Sequence, residues 1–123
     1  MKKILLIDDS TVMLMSVKEE LSITGFSVET AINGEEALNK IKLGLKPDLI
    51  ITDINMPVMD GISFIKNVRP ILKFTPILVL TTESETMKRD EAKKAGATGW
   101  LVKPVSGPDL LKVINQVLPE AKV

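Results

Sequence analysis

Apolar residues follow two rhythms along this chain, and the rhythms alternate. Short unbroken runs, Ile4-Leu5-Leu6-Ile7, Leu49-Ile50-Ile51 and Ile77-Leu78-Val79-Leu80, stop abruptly at polar residues. Runs of this length suit strands buried on both faces, as in the middle of a parallel sheet. They predict strands over 4–7, 49–53 and 77–80, the third bounded by Pro47 and Pro57 and the fourth introduced by Pro76. Two weaker segments complete the set: a more polar strand over 26–31, with Val28 in an alternating pattern, and one over 100–102 after the turn marked by Gly96 and Gly99.

Between these runs the apolar positions recur at helical spacing. Ser10 or Thr11 can cap a first helix facing inward through Val12, Met15, Val17 and Leu21 and stopped by Gly25. Asn33 can cap a second, with Glu36 three residues on as in a capping box; Ala37, Leu38 and Ile41 form its face and Gly44 ends it. The Asp60-Gly61 turn opens a third over 62–72, with Ile62, Ile65 and Val68 inward and Pro70 weakening its last turn. A charged helix over 84–95 has only Met87 and Ala92 for an apolar face. Ser106 caps the last, striped by Leu110, Ile114 and Val117 and widened by Leu111, Val113 and Leu118. Strand then helix, five times over, implies one α/β domain over residues 1–123, its parallel sheet covered on both faces. No linker, repeat or low-complexity segment interrupts it.

Composition narrows the chemistry. Sixteen basic and sixteen acidic residues cancel, which gives no footing for nucleic-acid binding or an electrostatic membrane tether. There is no cysteine and no histidine, which removes disulfides, thiolate or imidazole zinc sites, and histidine-dependent nucleophilic catalysis. The N-terminal residues lack the long apolar region of a signal peptide, and no apolar run approaches a membrane span. The expectation is a soluble cytoplasmic protein.

In a parallel sheet every strand's carboxyl end lies on one edge, where ligands collect. At that edge this chain places Asp8 and Asp9 after the first strand, Asp53 at the end of the third, Thr81 and Thr82 after the fourth, and Lys103-Pro104 after the fifth. Each has an ordinary explanation as a helix cap, a favourable charge at a helix N-terminus, a surface lysine or a strand breaker. Four loops needing independent ordinary explanations on one edge make the conjunction informative. Three neighbouring carboxylates repel unless a cation intervenes. A hard divalent ion such as Mg²⁺ takes carboxylate oxygens, water and phosphate, and Lys103 supplies a second positive charge. Asp9 and Asp53 suit direct ligation, with Asp8 acting through water. A metal, a lysine and the Thr81 hydroxyl together suit a phosphoryl group, and a carboxylate such as Asp53 can take one up as an acyl phosphate.

In this order, Asp8-Asp9, Asp53 with Met56-Pro57-Val58-Met59-Asp60-Gly61 behind it, Thr81, and the segment from Gly96 through Trp100-Leu101-Val102-Lys103-Pro104 resemble the receiver domain of bacterial response regulators. Within that family the resemblance is to the stand-alone, CheY-like chemotaxis type. It covers all 123 residues and implies a single receiver domain without an output domain. It implies a flavodoxin-like, doubly wound five-stranded sheet in the order 2-1-3-4-5 with five helices. Asp53 would accept a phosphoryl group from the phosphohistidine of a partner histidine kinase. Asp8, Asp9 and Asp53 would hold Mg²⁺ with the backbone carbonyl of Asn55. Lys103 would pair with Asp53 and then with the phosphoryl oxygens, ahead of a cis bond to Pro104. Thr81 would move toward the phosphoryl group, with Trp100 at the position of the accompanying switch ring, usually Tyr or Phe. Asn55 and Glu83 stand where hydrolysis is tuned, so the phosphate should be transient. Thr82 replaces a usual Ala or Gly, and Val105 a larger apolar residue. The fourth helix, fifth strand and fifth helix would bind an output partner such as a flagellar motor protein, and a phosphatase could act on the phosphate.

The family reading leaves two alternatives, a phosphorelay shuttle and a phosphate-independent receiver-like binding module. A haloacid-dehalogenase-like phosphatase also uses an Asp nucleophile at a strand end, but wants an acid where Asn55 stands. A flavodoxin-like cofactor binder is disfavoured because Asp8 and Asp9 would repel a flavin phosphate.

Overall fold

The computed structural model describes residues 1–118. Five strands and five helices alternate: β1 (Lys3–Ile7), α1 (Thr11–Ile23), β2 (Ser27–Ala31), α2 (Gly34–Lys42), β3 (Leu49–Thr52), α3 (Gly61–Val68), β4 (Ile77–Thr81), α4 (Thr86–Ala95), β5 (Gly99–Val102) and α5 (Gly107–Val117). All pairings are parallel and the order is β2-β1-β3-β4-β5. The parallel sheet is the one the alternation predicts, and its doubly wound strand order is the one the resemblance implies.

The sheet divides two apolar layers. One face packs Leu5, Ile7, Ile50, Ile77 and Val79 against α2, α3 and Ala92 of α4; the other packs Ile4, Leu6, Leu49, Ile51, Leu78 and Leu80 against α1 and α5. Successive strand residues point to opposite faces, so unbroken apolar runs are required where both faces are covered. Among the described residues, no helix is long and apolar enough to cross a membrane.

Local chemistry sets most boundaries. The Ser10 hydroxyl accepts from Met13 N–H at 3.2 Å, Asn33 Oδ1 from Glu36 N–H at 2.8 Å, and Ser106 Oγ from Asp109 N–H at 3.2 Å. Asp60 caps α3 through Ser63 N–H at 2.8 Å.

Three expectations need correction. The first helix buries Leu14, Val17 and Leu21, while Val12 and Met15 are 77% and 72% exposed. At ~100° per residue Val12 lies ~200° around the helix from Leu14, so one stripe cannot hold both sets. The third helix ends at Val68 rather than reaching 72: Pro70 cannot donate, and Ile71 and Leu72 N–H groups both turn back to Val68 O. Met87 is 75% exposed, which leaves Ala92 as the one buried residue of α4. Smaller shifts fall at element ends: α4 starts at Thr86 rather than 84, and β4 runs on through Thr81.

Candidate functional site

β1 and β3 are neighbours in the sheet, with Ile7 opposite Thr52. Each chain leaves its strand at the same height, so Asp8 and Asp53 emerge side by side. Asp8 N–H donates to Ala31 O at 3.1 Å and Asp53 N–H to Ile7 O at 2.9 Å, so both backbones still belong to the sheet's hydrogen-bond ladder. Asp9 follows on the exposed rim. Carboxylate oxygens of Asp8, Asp9 and Asp53 all lie within 4.8 Å of one another.

Asp53 is largely buried and precisely held. Its Oδ1 accepts from Ile54 N–H at 2.6 Å and its Oδ2 faces Lys103 Nζ at 3.4 Å. Behind it, Gly61 N–H donates to Ile54 O at 2.9 Å, and a Cβ on Gly61 would collide with the Asp53 carbonyl oxygen. A glycine is therefore required where α3 begins, so that this turn can close on the strand end. Between them Val58 has φ +71° and is bridged by Met59 N–H to Pro57 O at 2.8 Å, a tight γ-turn that is strained for a β-branched residue.

Lys103 reaches the acids from β5. Its backbone N–H donates to Thr81 O at 2.7 Å, and its ammonium sits 2.7 Å from Asp8 Oδ2 and 3.4 Å from Asp53 Oδ2. Burial works against the ammonium, but hydrogen bonding to Asp8 and the charges of Asp53 and Asp8 outweigh it and hold Lys103 above the ordinary lysine value. The Lys103–Pro104 peptide bond is cis, as the resemblance implies.

Both oxygens of Asp8 are engaged, as both of Asp53 are: its other oxygen accepts from Ser10 N–H at 2.9 Å. Asp9 makes no side-chain hydrogen bond or ion pair among the described residues. One ammonium, in contact with two of them, thus stands against three clustered carboxylates, a set made wholly of hard oxygen donors. That donor set fits Mg²⁺, which favours oxygen ligands and compensates surplus negative charge. The Asp9 carboxylate is free of hydrogen-bond or ion-pair partners among the described residues, and of the two Lys103 contacts the one to Asp53 is the longer, 3.4 Å against 2.7 Å.

Thr81 is fully buried at the end of β4, beside this cluster in the sheet order, and its hydroxyl accepts from Glu83 N–H at 3.2 Å. Glu83 in turn accepts from Asn55 Nδ2 at 3.4 Å and from Glu85 N–H at 3.2 Å. Asn55 and Glu83 therefore meet across the mouth of the site. Thr82 is exposed, with Val105 and Lys103 along a groove between α1 and α5.

Trp100 is not among the acids. Its Cα pairs with Val79, two residues before Thr81, and the half-buried ring lines a cleft with Arg89, Lys93 and Thr98 of the α4–β5 region. Sequence reasoning missed three contacts. Lys103 lies closer to Asp8 than to Asp53. The Ile54 N–H fixes the Asp53 carboxylate. Arg69 fastens three separate carbonyl groups, at Leu72, Thr75 and Gly96. Two of the three involve main-chain groups, which every residue type carries, so no sequence signal marks them.

Comparison with known proteins agrees with this geometry. The response regulator receiver domain family matches residues 4–115. The chemotaxis protein CheY of Thermotoga maritima is 37% identical over 117 residues, covering 94% of this chain and 97% of that protein. The transcriptional regulatory protein PrrA of Mycobacterium leprae is 37% identical over 116 residues, 94% of this chain but 49% of that protein. The chain thus spans about half the length of the transcriptional regulators it matches. Among solved structures, chemotaxis protein CheY4 of Vibrio cholerae superposes with a TM-score of 0.90 at 49% identity, covering 95% of this chain and 98% of that one. With a CheY-like sheet order and a family match over nearly its whole length, the chain belongs to the response regulator receiver domain family of two-component signalling.

Proposed function

We propose that the chain is a phosphorylation-driven switch in which Asp53 takes the phosphoryl group of a histidine kinase's phosphohistidine. The observation that carries this reading is the convergence of Asp8, Asp9 and Asp53 at the carboxyl edge of the sheet, with the Lys103 ammonium against Asp8 and Asp53. Asp8 and Asp53 are both buried and both accept a backbone N–H, but Lys103 holds Asp8 at 2.7 Å and Asp53 at 3.4 Å, which leaves Asp53 the freer carboxylate to act as nucleophile. An Asp53 oxygen attacks phosphorus, the bond from phosphorus to the donor nitrogen breaks, and the donor histidine leaves with the electron pair. The product is an acyl phosphate on Asp53.

Asp9, Asp53 and the Asn55 backbone carbonyl would hold Mg²⁺, with Asp8 behind them through water. When bound, the cation supplies positive charge against the acids and the transferred phosphoryl oxygens. Lys103 is the chain's own contribution to that charge. It exchanges part of its attraction to Asp53 for the phosphoryl oxygens while Asp8 keeps it in place. Thr81 accepts from Glu83 N–H, so its own hydroxyl proton is available to donate to a phosphoryl oxygen. Drawing Thr81 inward loosens its hold on Glu83 and shifts the population of α4–β5–α5 conformations. Trp100, in the α4–β5 cleft, responds to that shift. The Asn55–Glu83 pair at the mouth orients the water that hydrolyses the acyl phosphate, which keeps the signal transient. The output is binding of a downstream protein in the cytoplasm, a flagellar motor component being the reading that the chemotaxis relatives favour.

The test combines intact mass with Trp100 fluorescence as Mg²⁺ and then acetyl phosphate are added. A phosphate gained only with Mg²⁺, accompanied by a fluorescence change, and lost in Asp53→Asn, is the expected result. No phosphate gained by the wild type would overturn the reading in favour of a phosphate-independent binding module.

A further inference from the structure

Helix α4 is held unequally at its two ends. At the N-terminal end, Glu85 occupies the cap position but makes no side-chain cap hydrogen bond. Among the described residues, the hydrogen bonds that tie the preceding loop to the site run through Glu83, at 3.2 to 3.4 Å, the long end of the hydrogen-bond range. The helix body adds little, because Ala92 is its only buried residue.

The C-terminal end is fastened firmly. The Arg69 guanidinium, just past α3, donates through Nη1 to Leu72 O and Thr75 O, both at 2.8 Å, and through Nη2 to Gly96 O at 2.6 Å. Gly96 closes α4 at φ +121°, and a Cβ there would meet Arg69 Nε at 2.8 Å and Cγ at 3.1 Å. The bare glycine is what lets the arginine arm lie against the helix end. Two residues on, Thr98 N–H donates to Ile77 O at 2.7 Å and Thr98 Oγ1 accepts from Ile77 N–H at 3.0 Å. The α4–β5 connection is thereby fixed to the α3–β4 loop on one side and to β4 on the other.

We propose that Arg69 is the pivot of the switch: it anchors the C-terminal end of α4, so that events at Thr81 and Glu83 displace the N-terminal end of the helix about it. Arg69 touches neither the acids nor a phosphoryl group; it is a positioning residue. A lysine cannot replace it, because one ammonium lacks the planar fork that reaches carbonyls in separate segments at once. The pivot rests on the reading of Asp53 as the phosphoacceptor only for the origin of the motion; the anchor itself is a property of the unphosphorylated chain.

Amide hydrogen exchange on the full chain, with intact mass recorded in parallel, tests both parts. Arg69→Lys keeps the charge and the aliphatic arm, and Arg69→Met removes the charge. Without phosphodonor, both variants should speed exchange at residues 94–97 by about tenfold or more and leave β1 and β3 at wild-type rates. With Mg²⁺ and acetyl phosphate, wild-type exchange should change over 83–90 and not over 95–97. In Arg69→Lys the phosphate should still be gained, and the change should spread through 97. Unaltered exchange at 94–97 in Arg69→Lys would overturn the proposal. So would a rise of equal size in every strand, which would make Arg69 a general stability residue, or a wild-type response as large at 95–97 as at 83–90. Failure of the wild type to gain phosphate mass would instead overturn the Asp53 reading, while the exchange rates without donor still decide the anchor.

Discussion

β1 and β3 carry apolar residues that are at most 2% exposed from Ile4 to Ile7 and from Leu49 to Ile51, whereas β5 is half-exposed along its length and α4 buries Ala92 alone. The first pair holds Asp8 and Asp53; the second holds Trp100 and the cleft beside it. Both regions belong to one sheet, yet they are attached to it differently. Close packing on two faces leaves the acids few ways to move, and a nucleophile benefits from a fixed position. A helix with one buried residue costs little to displace, and a signal needs something displaceable. The contrast assigns chemistry to the sheet's centre and response to its edge.

The largest effect that probes this contrast is on stability. Ile50 is fully buried in β3 with neighbours in β1 and β4, so Ile50→Ala should cost about 2–5 kcal/mol. Met87 in α4 is 75% exposed, and Met87→Ala should stay within about 0.5 kcal/mol. Urea unfolding of the two variants measures both. A Met87→Ala cost approaching that of Ile50→Ala would show that α4 is anchored by contacts as strong as those of the centre, and the contrast would collapse.

What could be read without coordinates follows the same division. The buried strands announced themselves as unbroken apolar runs, and the parallel arrangement then placed Asp8, Asp9, Asp53, Thr81 and Lys103 along one edge although they are up to 95 positions apart. The caps at Asn33 and Ser106 were equally plain, because a side-chain oxygen before a helical pattern has a specific use, whereas the first lay open between Ser10 and Thr11 until the Met13 N–H bond assigned it to Ser10. The weakly attached region was harder. Periodicity assigned Met87 to the buried face of α4, but in a helix so rich in charge one methionine is a poor guide to orientation. In α1, apolar residues stand all round the helix, and Val12 and Met15 fitted a helical rhythm as well as Leu14 did. Arg69 carried no signal at all, since its partners are main-chain carbonyls.

A smaller effect sharpens the central half of the comparison. In metal-free protein the Asp8, Asp9 and Asp53 carboxylates crowd one another with Lys103 as their one cationic partner among the described residues. Asp9→Asn should therefore raise the metal-free melting temperature slightly, by relieving like-charge repulsion. The same substitution should remove most of the stabilisation that Mg²⁺ gives the wild type, about 1.4 kcal/mol for each tenfold excess over Kd. The opposite signs make the pair of measurements informative: a variant that merely damaged the fold would lower both. Thermal melts with and without Mg²⁺ provide the check, and an undiminished Mg²⁺ response in Asp9→Asn would remove Asp9 from the ligand set.

The smallest expected effect concerns Lys103, the one residue that belongs to both regions, since it leaves β5 and ends among the acids of β1 and β3. Its ammonium is held above the ordinary lysine value of 10.5 because the attraction of Asp8 and Asp53 exceeds the penalty of burial. The folded chain thus binds this proton more tightly than the unfolded chain does. The stability it contributes is complete below the unfolded value and is lost as pH rises through the higher folded value. The Lys103 side chain is 16% exposed, and the penalty of burying it offsets part of the attraction, so the loss is modest. The chain has no tyrosine or cysteine to titrate over the same interval, and its thirteen other lysines are common to the two proteins compared. Urea midpoints of metal-free protein between about pH 9 and about pH 11.5 should fall more steeply for wild type than for Lys103→Met, in which that proton is absent. Parallel slopes in the two proteins would mean that the 2.7 Å contact with Asp8 does not couple the edge strand to the centre.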